Sequence, residues 1–203
     1  MQAKQSQLNN LRFKMQRADL PLKKTAKSLV FGEGSPDAKI FFIGEAPGKH
    51  EDLQGLPFVG SAGRVLNQML QSVGLKRQDV FITSILKYRP PQNRNPNLQE
   101  IIEHTPFLVE QIRIIKPRIV VPLGNFATRF VLNGFNVADM YKIPGISNVH
   151  GKIEVIHLEK LAFKVIALYH PAAILYNNSL RKTLEKDFKI LSQVEKWVDG
   201  TTR

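Results

Sequence analysis

The chain has 203 residues, with 29 Lys and Arg against 17 Asp and Glu, a formal net charge of +12 and no cysteine. That length suits one α/β domain with a full core, or one domain plus an arm, and the missing thiol excludes disulfides, thiolate metal sites and cysteine nucleophiles together. The charge points to a polyanion, because phosphate neutralisation dominates nucleic-acid affinity, with a merely soluble basic surface as the plainer alternative. No apolar stretch approaches the roughly 20 residues of a spanning helix, and residues 1–17 are polar, unlike a signal peptide, so the expected location is cytoplasmic.

Taken in chain order, residues 1–27 read as a basic amphipathic arm with Leu8, Leu11 and Met15 at helical spacing. Residues 28–198 read as one α/β domain. Apolar runs predict strands at 39–44, 80–86, 119–123 and 163–169, with 153–158 as an extra edge strand. Helices are expected at 62–73, 98–115, 127–132 and 179–198, and a surface turn at 145–151. This alternation of strand and helix argues for a parallel sheet covered on both faces.

Two segments carry most of the chemistry. Gly44-Glu45-Ala46-Pro47-Gly48-Lys49-His50-Glu51-Asp52 and His170-Pro171-Ala172-Ala173 each follow directly on an apolar run. In an open parallel sheet, loops leaving the carboxyl ends of strands meet in one crevice, where ligands bind. Two carboxylates and a histidine therefore belong to one rim. Gly60-Ser61-Ala62-Gly63 precedes a helix whose free N–H groups suit a phosphate, with capping by Ser61 as the local alternative. Lys87, Arg89 and Arg94 on one loop, and Arg181 and Lys182 near the His170 loop, suit phosphate contacts that position a duplex.

The run Val30-Phe31-Gly32-Glu33-Gly34, the Gly44–Asp52 segment, and Gly55-Leu56-Pro57-Phe58-Val59-Gly60-Ser61-Ala62-Gly63 occur in that order. They are followed by Val80-Phe81-Ile82-Thr83-Ser84, Lys87-Tyr88-Arg89-Pro90-Pro91-Gln92-Asn93-Arg94, Pro122-Leu123-Gly124 and the His170 segment. In order and spacing, over about residues 8–190, the chain resembles the uracil-DNA glycosylase superfamily, family four. The resemblance implies a three-layer α/β/α sandwich around a central, mostly parallel four-stranded sheet. It implies an enzyme that flips uracil out of single- or double-stranded DNA and hydrolyses its glycosidic bond, working as a monomer and leaving an abasic site.

The same resemblance assigns roles residue by residue. Glu51 orients or activates the attacking water, His170 donates a hydrogen bond to the base oxygen, and Asn93 supports the water or the DNA. An aspartate of other branches falls at Ala46, which cannot do that work. Gly44, Glu45 and Ala46 line the base pocket, Phe58 stacks on the flipped pyrimidine, and Ile174 and Leu175 form an apolar wedge. Plainer readings stand beside these: a core phenylalanine, a turn-forming asparagine, a core Ile174.

Two departures from the family pattern matter. Its four-iron four-sulfur cluster hangs on four cysteines, and those positions are Arg17, Leu20, Tyr88 and His104 here. Without cysteine that ligation is impossible. Packing by Leu20, Tyr88 and the apolar part of Arg17, with hydrogen bonds from His104, is expected instead. No cofactor is expected, and no metal, because the isolated histidines lack ligand spacing. The second departure is Ser84, where the family has an asparagine that reads the uracil edge; one hydroxyl cannot make that bidentate pattern. Two alternatives follow: a non-catalytic DNA-damage-binding relative, or a glycosylase shifted toward hypoxanthine or xanthine. A nucleotide-processing enzyme for small molecules is a third, but no phosphate-binding fingerprint supports it.

Overall fold

Side chains alternate across a strand, so a strand apolar at every position must be covered on both faces. Ile40-Phe41-Phe42-Ile43 is such a run: Phe41 and Ile43 enter one core cluster, Ile40 and Phe42 the other. That strand lies near the middle of the computed structural model, which describes residues 2–193.

The chain begins with helix α1 (Gln2–Arg17), the short strand β1 (Glu33–Gly34) and the central strand β2 (Ile40–Gly44). Helices α2 (Lys49–Gln54) and α3 (Ser61–Ser72) lead to β3 (Phe81–Ser84), then α4 (Leu98–Ile115), β4 (Ile119–Pro122) and α5 (Asn125–Leu132). A one-turn α6 (Ile146–Val149) precedes the hairpin of β5 (Ile153–Leu158) and β6 (Leu161–Ile166), and α7 (Ala173–Tyr176) and α8 (Leu180–Leu191) follow. The sheet order is β1-β3-β2-β4-β6-β5. The inner strands β3, β2, β4 and β6 are parallel, and β1 and β5 are antiparallel edges.

One apolar layer is built by Leu8, Leu11 and Met15 of α1, Ile101, Leu108 and Ile112 of α4, and Phe130 of α5. The opposite layer is built by Val65, Leu66 and Met69 of α3 and Leu184, Phe188 and Leu191 of α8. The three-layer α/β/α sandwich expected from the sequence is therefore present. Its sheet has six strands rather than four, because β1 and β5 extend the parallel set at its two edges.

Local chemistry explains the sharpest boundary. Helix α4 starts where Asn97 accepts from the Glu100 amide and the Glu100 carboxylate accepts from the Asn97 amide, a reciprocal cap that satisfies two orphan donors. The strand expected at 163–169 ends earlier, at Ile166, and begins earlier, at Leu161, because its hairpin partner β5 fixes the register. The surface turn expected at 145–151 contains α6. The helix expected at 179–198 is seen as α8 to Leu191, and residues 194–198 lie outside the described residues. Among the described residues, no helix is long and apolar enough to cross a membrane.

Candidate active site

Strands β2 and β3 leave the sheet side by side, with Gly44 opposite Ser84. The Gly44 and Glu45 carbonyls then accept from the amides of Ile85 and Leu86, at 2.9 and 3.1 Å, which pins one exit loop to the other. These loops, with the one after β6, wall a cavity of about 420 Å³. Glu45, Ala46, Glu51, Phe58, Ser84, Asn93, Arg94 and His170 all line it. The sequence expected carboxylates and a histidine at one rim, and the fold gathers Glu45, Glu51 and His170 on one cavity with the other five.

Glu51 sits on α2, and its Oε1 accepts from the amides of Val59 and Gly60 at 2.9 and 3.0 Å. Two donors on one oxygen fix the carboxylate and leave Oε2 for another partner. The neighbouring Asp52 is buried, and its Oδ1 accepts from the Lys27 and Ser28 amides at 2.8 and 3.2 Å. Asp52 thus braces the segment that follows α1, away from any chemistry.

Phe58 is buried at a φ of +50°, and its ring lies 5.6 Å from that of His170. Gly44 makes this placement possible: a Cβ there would fall 2.8 Å from the Phe58 ring and 3.1 Å from Ser84 Oγ. Gly63 is constrained more severely, since its Cβ would fall 1.7 Å from the Phe58 carbonyl oxygen. The first turn of α3 packs directly on the Phe58 backbone, and only glycine allows it.

Pro171 has no N–H, so the first backbone donor that can turn back onto the His170 ring is that of Ala172. It donates to Nδ1 at 3.1 Å. Nδ1 is therefore an acceptor, and the neutral ring carries its proton on Nε2. Burial pushes the His170 pKa down to about 4, against a smaller opposing pull from the Glu51 charge. The imidazole is neutral near pH 7 and still holds one N–H donor. Burial also raises the pKa of Glu45 on the same cavity wall.

The Asn93 side chain is held at its oxygen by Arg89 Nε, 2.7 Å away, and that bond uses none of its N–H groups. Arg94 grips Glu100 through both Nη atoms yet stays exposed at the cavity edge. Arg181, at the start of α8, bonds Asn178 through Nε, and Lys182 beside it is exposed.

Several expectations for DNA contact are corrected. Lys87 is fully buried and donates from Nζ to Thr83 and Gln111, so it reaches no phosphate. Burial lowers its pKa well below the usual lysine range. Gly63 is a packing glycine, and the Gly60 amide is taken by Glu51. Ser61 does not cap α3: the cap residue is Gly60, and Ser61 is an exposed first-turn residue. Ile174 is 4% exposed and belongs to the core, whereas Leu175 is 48% exposed and Tyr176 91%. Tyr176, which the sequence reading did not single out, is the more exposed of the two and stands just before the polar run Asn177-Asn178-Ser179.

The positions that the resemblance gives to an iron-sulfur cluster do not fit one. Leu20, Tyr88 and His104 are buried, and the Tyr88 and His104 rings meet edge to face at 6.1 Å. His104 Nδ1 donates to the Glu100 carbonyl at 2.7 Å, and burial lowers its pKa. Arg17 does not fill the space as expected; it is exposed, with its guanidinium over the Phe13 ring. Among the described residues, no group of His, Asp or Glu could hold a metal ion.

Known proteins resemble the chain along most of its length. The family model described as the uracil DNA glycosylase superfamily matches residues 31–193. The chain is 46% identical over 173 residues to a type-4 uracil-DNA glycosylase of Archaeoglobus fulgidus, which covers 85% of each chain. It is 44% identical over 167 residues to the type-4 enzyme of Saccharolobus solfataricus, covering 82% of this chain and 76% of the relative. It is 45% identical over 166 residues to that of Sulfurisphaera tokodaii, covering 81% and 74%.

Proposed function

This chain belongs to the uracil DNA glycosylase superfamily, and from that premise we propose that it is a uracil-DNA glycosylase that extrudes uracil from DNA and hydrolyses its N-glycosidic bond. One observation carries the reading of the site: His170 is a neutral Nε2–H donor on the wall of a cavity that also holds an amide-fixed carboxylate, Glu51.

A base inside a duplex is unreachable, so the nucleotide leaves the stack, at a cost of a few kcal/mol, and enters the pocket. Phe58 stacks on the pyrimidine. As the C1′–N1 bond breaks, its electron pair moves onto the base, and the His170 Nε2–H meets the negative charge growing on the uracil oxygen. Positive charge builds on the sugar, and the Glu51 carboxylate faces it and aligns water through Oε2. Hydroxide adds to C1′ and the proton ends on the released uracil. Asn93 steadies the water or the strand, and Arg89, Arg94, Arg181 and Lys182 meet phosphates. The enzyme acts as a cytoplasmic monomer without an iron-sulfur cluster.

The test is single-turnover cleavage of labelled oligonucleotides carrying uracil, hypoxanthine or xanthine, with abasic sites revealed by alkali. Release of uracil is the expected result; no release of any base, with tight DNA binding, would replace the enzyme by a damage-binding protein. Ser84 sets the ranking within that panel. Restoring an amide, Ser84→Asn, is expected to raise the preference for uracil over hypoxanthine about tenfold, the worth of one further hydrogen bond. An unchanged ranking would remove Ser84 from base recognition.

The buried Ile174 drops out of the wedge, Leu175 stays in it, and the exposed Tyr176 joins it. Leu175 and Tyr176 project where an apolar group can hold open the gap left by the flipped base, and such insertion offsets part of the unstacking cost. The double change Leu175→Ala, Tyr176→Ala is expected to slow cleavage of duplex DNA about tenfold or more while sparing single strands, since stacking is worth about 1–3 kcal/mol per base. Equal loss on both substrates would refute it.

A further inference from the structure

Next to the first cavity, on the Pro91 side of the same loop, lies a second hollow of about 380 Å³. Arg94 lines both. Leu20 and Leu22 from the turn after α1, and Pro91 from the opposite loop, give it apolar faces, while Lys24 and Asp19 stand on its rim.

The turn is rigidly built. Leu22 has a φ of +69°, a conformation that a branched apolar residue adopts only under constraint. Its carbonyl is held by the amides of Thr25 and Ala26 and by the Thr25 hydroxyl, at 3.1, 2.9 and 3.0 Å. Lys23 turns inward, donating to the carbonyls of Gln16 and Ala18 at 2.7 and 2.9 Å at the end of α1. Lys24 is left exposed on the outer side. Arg94 is already paired with Glu100, so Lys24 is the rim cation outside that pair, with Asp19 as the rim's one carboxylate.

Apolar faces suit the flat surface of a base, a lysine suits its phosphate, and a carboxylate suits the amino edge of a base. We propose that this hollow is a second nucleotide subsite, which seats the unpaired base adjoining the extruded uracil on the same strand, with Lys24 on the backbone phosphate and Asp19 at the base edge. The shared wall at Arg94, with Pro90 on the first cavity and Pro91 on the second, makes the occupant the same strand. The inference rests on the first cavity being the uracil pocket.

The test uses the full chain and three single-stranded substrates: uracil flanked on both sides, only on its 5′ side, and only on its 3′ side. Lys24→Glu and Leu22→Asn are compared with the wild type; asparagine tolerates a positive φ, so the second variant keeps the turn. Both variants are expected to lower kcat/KM about tenfold on the doubly flanked strand. They are expected to match the wild type on whichever trimmed strand lacks the seated neighbour, and Lys24→Glu should also reduce the salt slope by about one counterion. Equal losses on all three strands would mean a diffuse electrostatic effect and would overturn the subsite, as would no loss on any. Failure of the wild type to release uracil from every strand would instead reject the reading of the first cavity.

Discussion

Replacing His170 by alanine is expected to lower single-turnover release of uracil by about 100- to 1,000-fold, the usual cost of one donor aimed at developing negative charge, and to leave binding to abasic DNA nearly unchanged. The Ala172 amide occupies Nδ1, so the only proton on the neutral ring is at Nε2. The ring stands beside Phe58, the proposed stacking face for the base, so its donor would reach a base oxygen with the pyrimidine in place. Titration offers a second check. Burial holds the His170 pKa at about 4 rather than its ordinary 6.5. The folded enzyme therefore keeps the neutral donor down to about pH 4, and the wild-type rate should show no break near 6.5. Between 6.5 and 4 the unfolded chain binds a proton that the folded chain refuses, so stability rises with pH across that window. His170→Ala should flatten that part of the stability profile. A rate break near 6.5 that disappears with the ring would show a charged histidine at work and refute the assignment.

The second large effect is expected from Glu51→Gln. Glutamine keeps an oxygen that can accept from Val59 and Gly60, so the loop should remain in place and the thermal midpoint should move little. What it lacks is the negative charge at the other oxygen, which on the proposed mechanism meets the sugar cation and the water. Turnover should fall at least about 100-fold, in the range for loss of a positioned base, with little change in KM for uracil-containing DNA. Glu51→Ala removes the acceptor as well, so it should also destabilise the loop around Phe58. If Glu51→Gln retained turnover, or lost it only together with stability, Glu51 would be a brace and another group would handle the water.

The central strands were legible because apolar runs of strand length are hard to place anywhere but in a sheet covered on both sides. The edge strand β5 could be read for its alternation, but β1 could not: Glu33 and Gly34 carry no periodicity and are strand only through their pairing with Phe81 and Ile82. At the site, the family resemblance singled out Glu51, His170, Phe58 and Ser84, and the fold places all four on one cavity wall; strand ends alone pointed only to those next to β2, β3 and β6, since Phe58 lies beyond α2. Lys87 was misread because charge on a basic loop normally means solvent. Its partners, Thr83 and Gln111, come from β3 and the distant α4, and no local pattern announces them. Ile174 and Leu175 were indistinguishable for a different reason. Neighbours on a helix point about 100° apart, and a helix as short as α7 gives too little periodicity to set its phase.

The loop from Phe58 to Gly60 ties the pocket's aromatic wall to its carboxylate. Phe58 is fixed from beneath by Gly63, and the next two amides both hold Glu51. A substitution that widens the pocket at Phe58 therefore also shifts the group that handles water, so new base preferences gained there carry a loss of turnover. Ser84 has no part in that tie: it ends a strand of the rigid sheet, at a buried position on the cavity wall. Changes in substrate range should accumulate at that position during divergence, and selection for altered specificity should recover substitutions of Ser84 before any of Phe58.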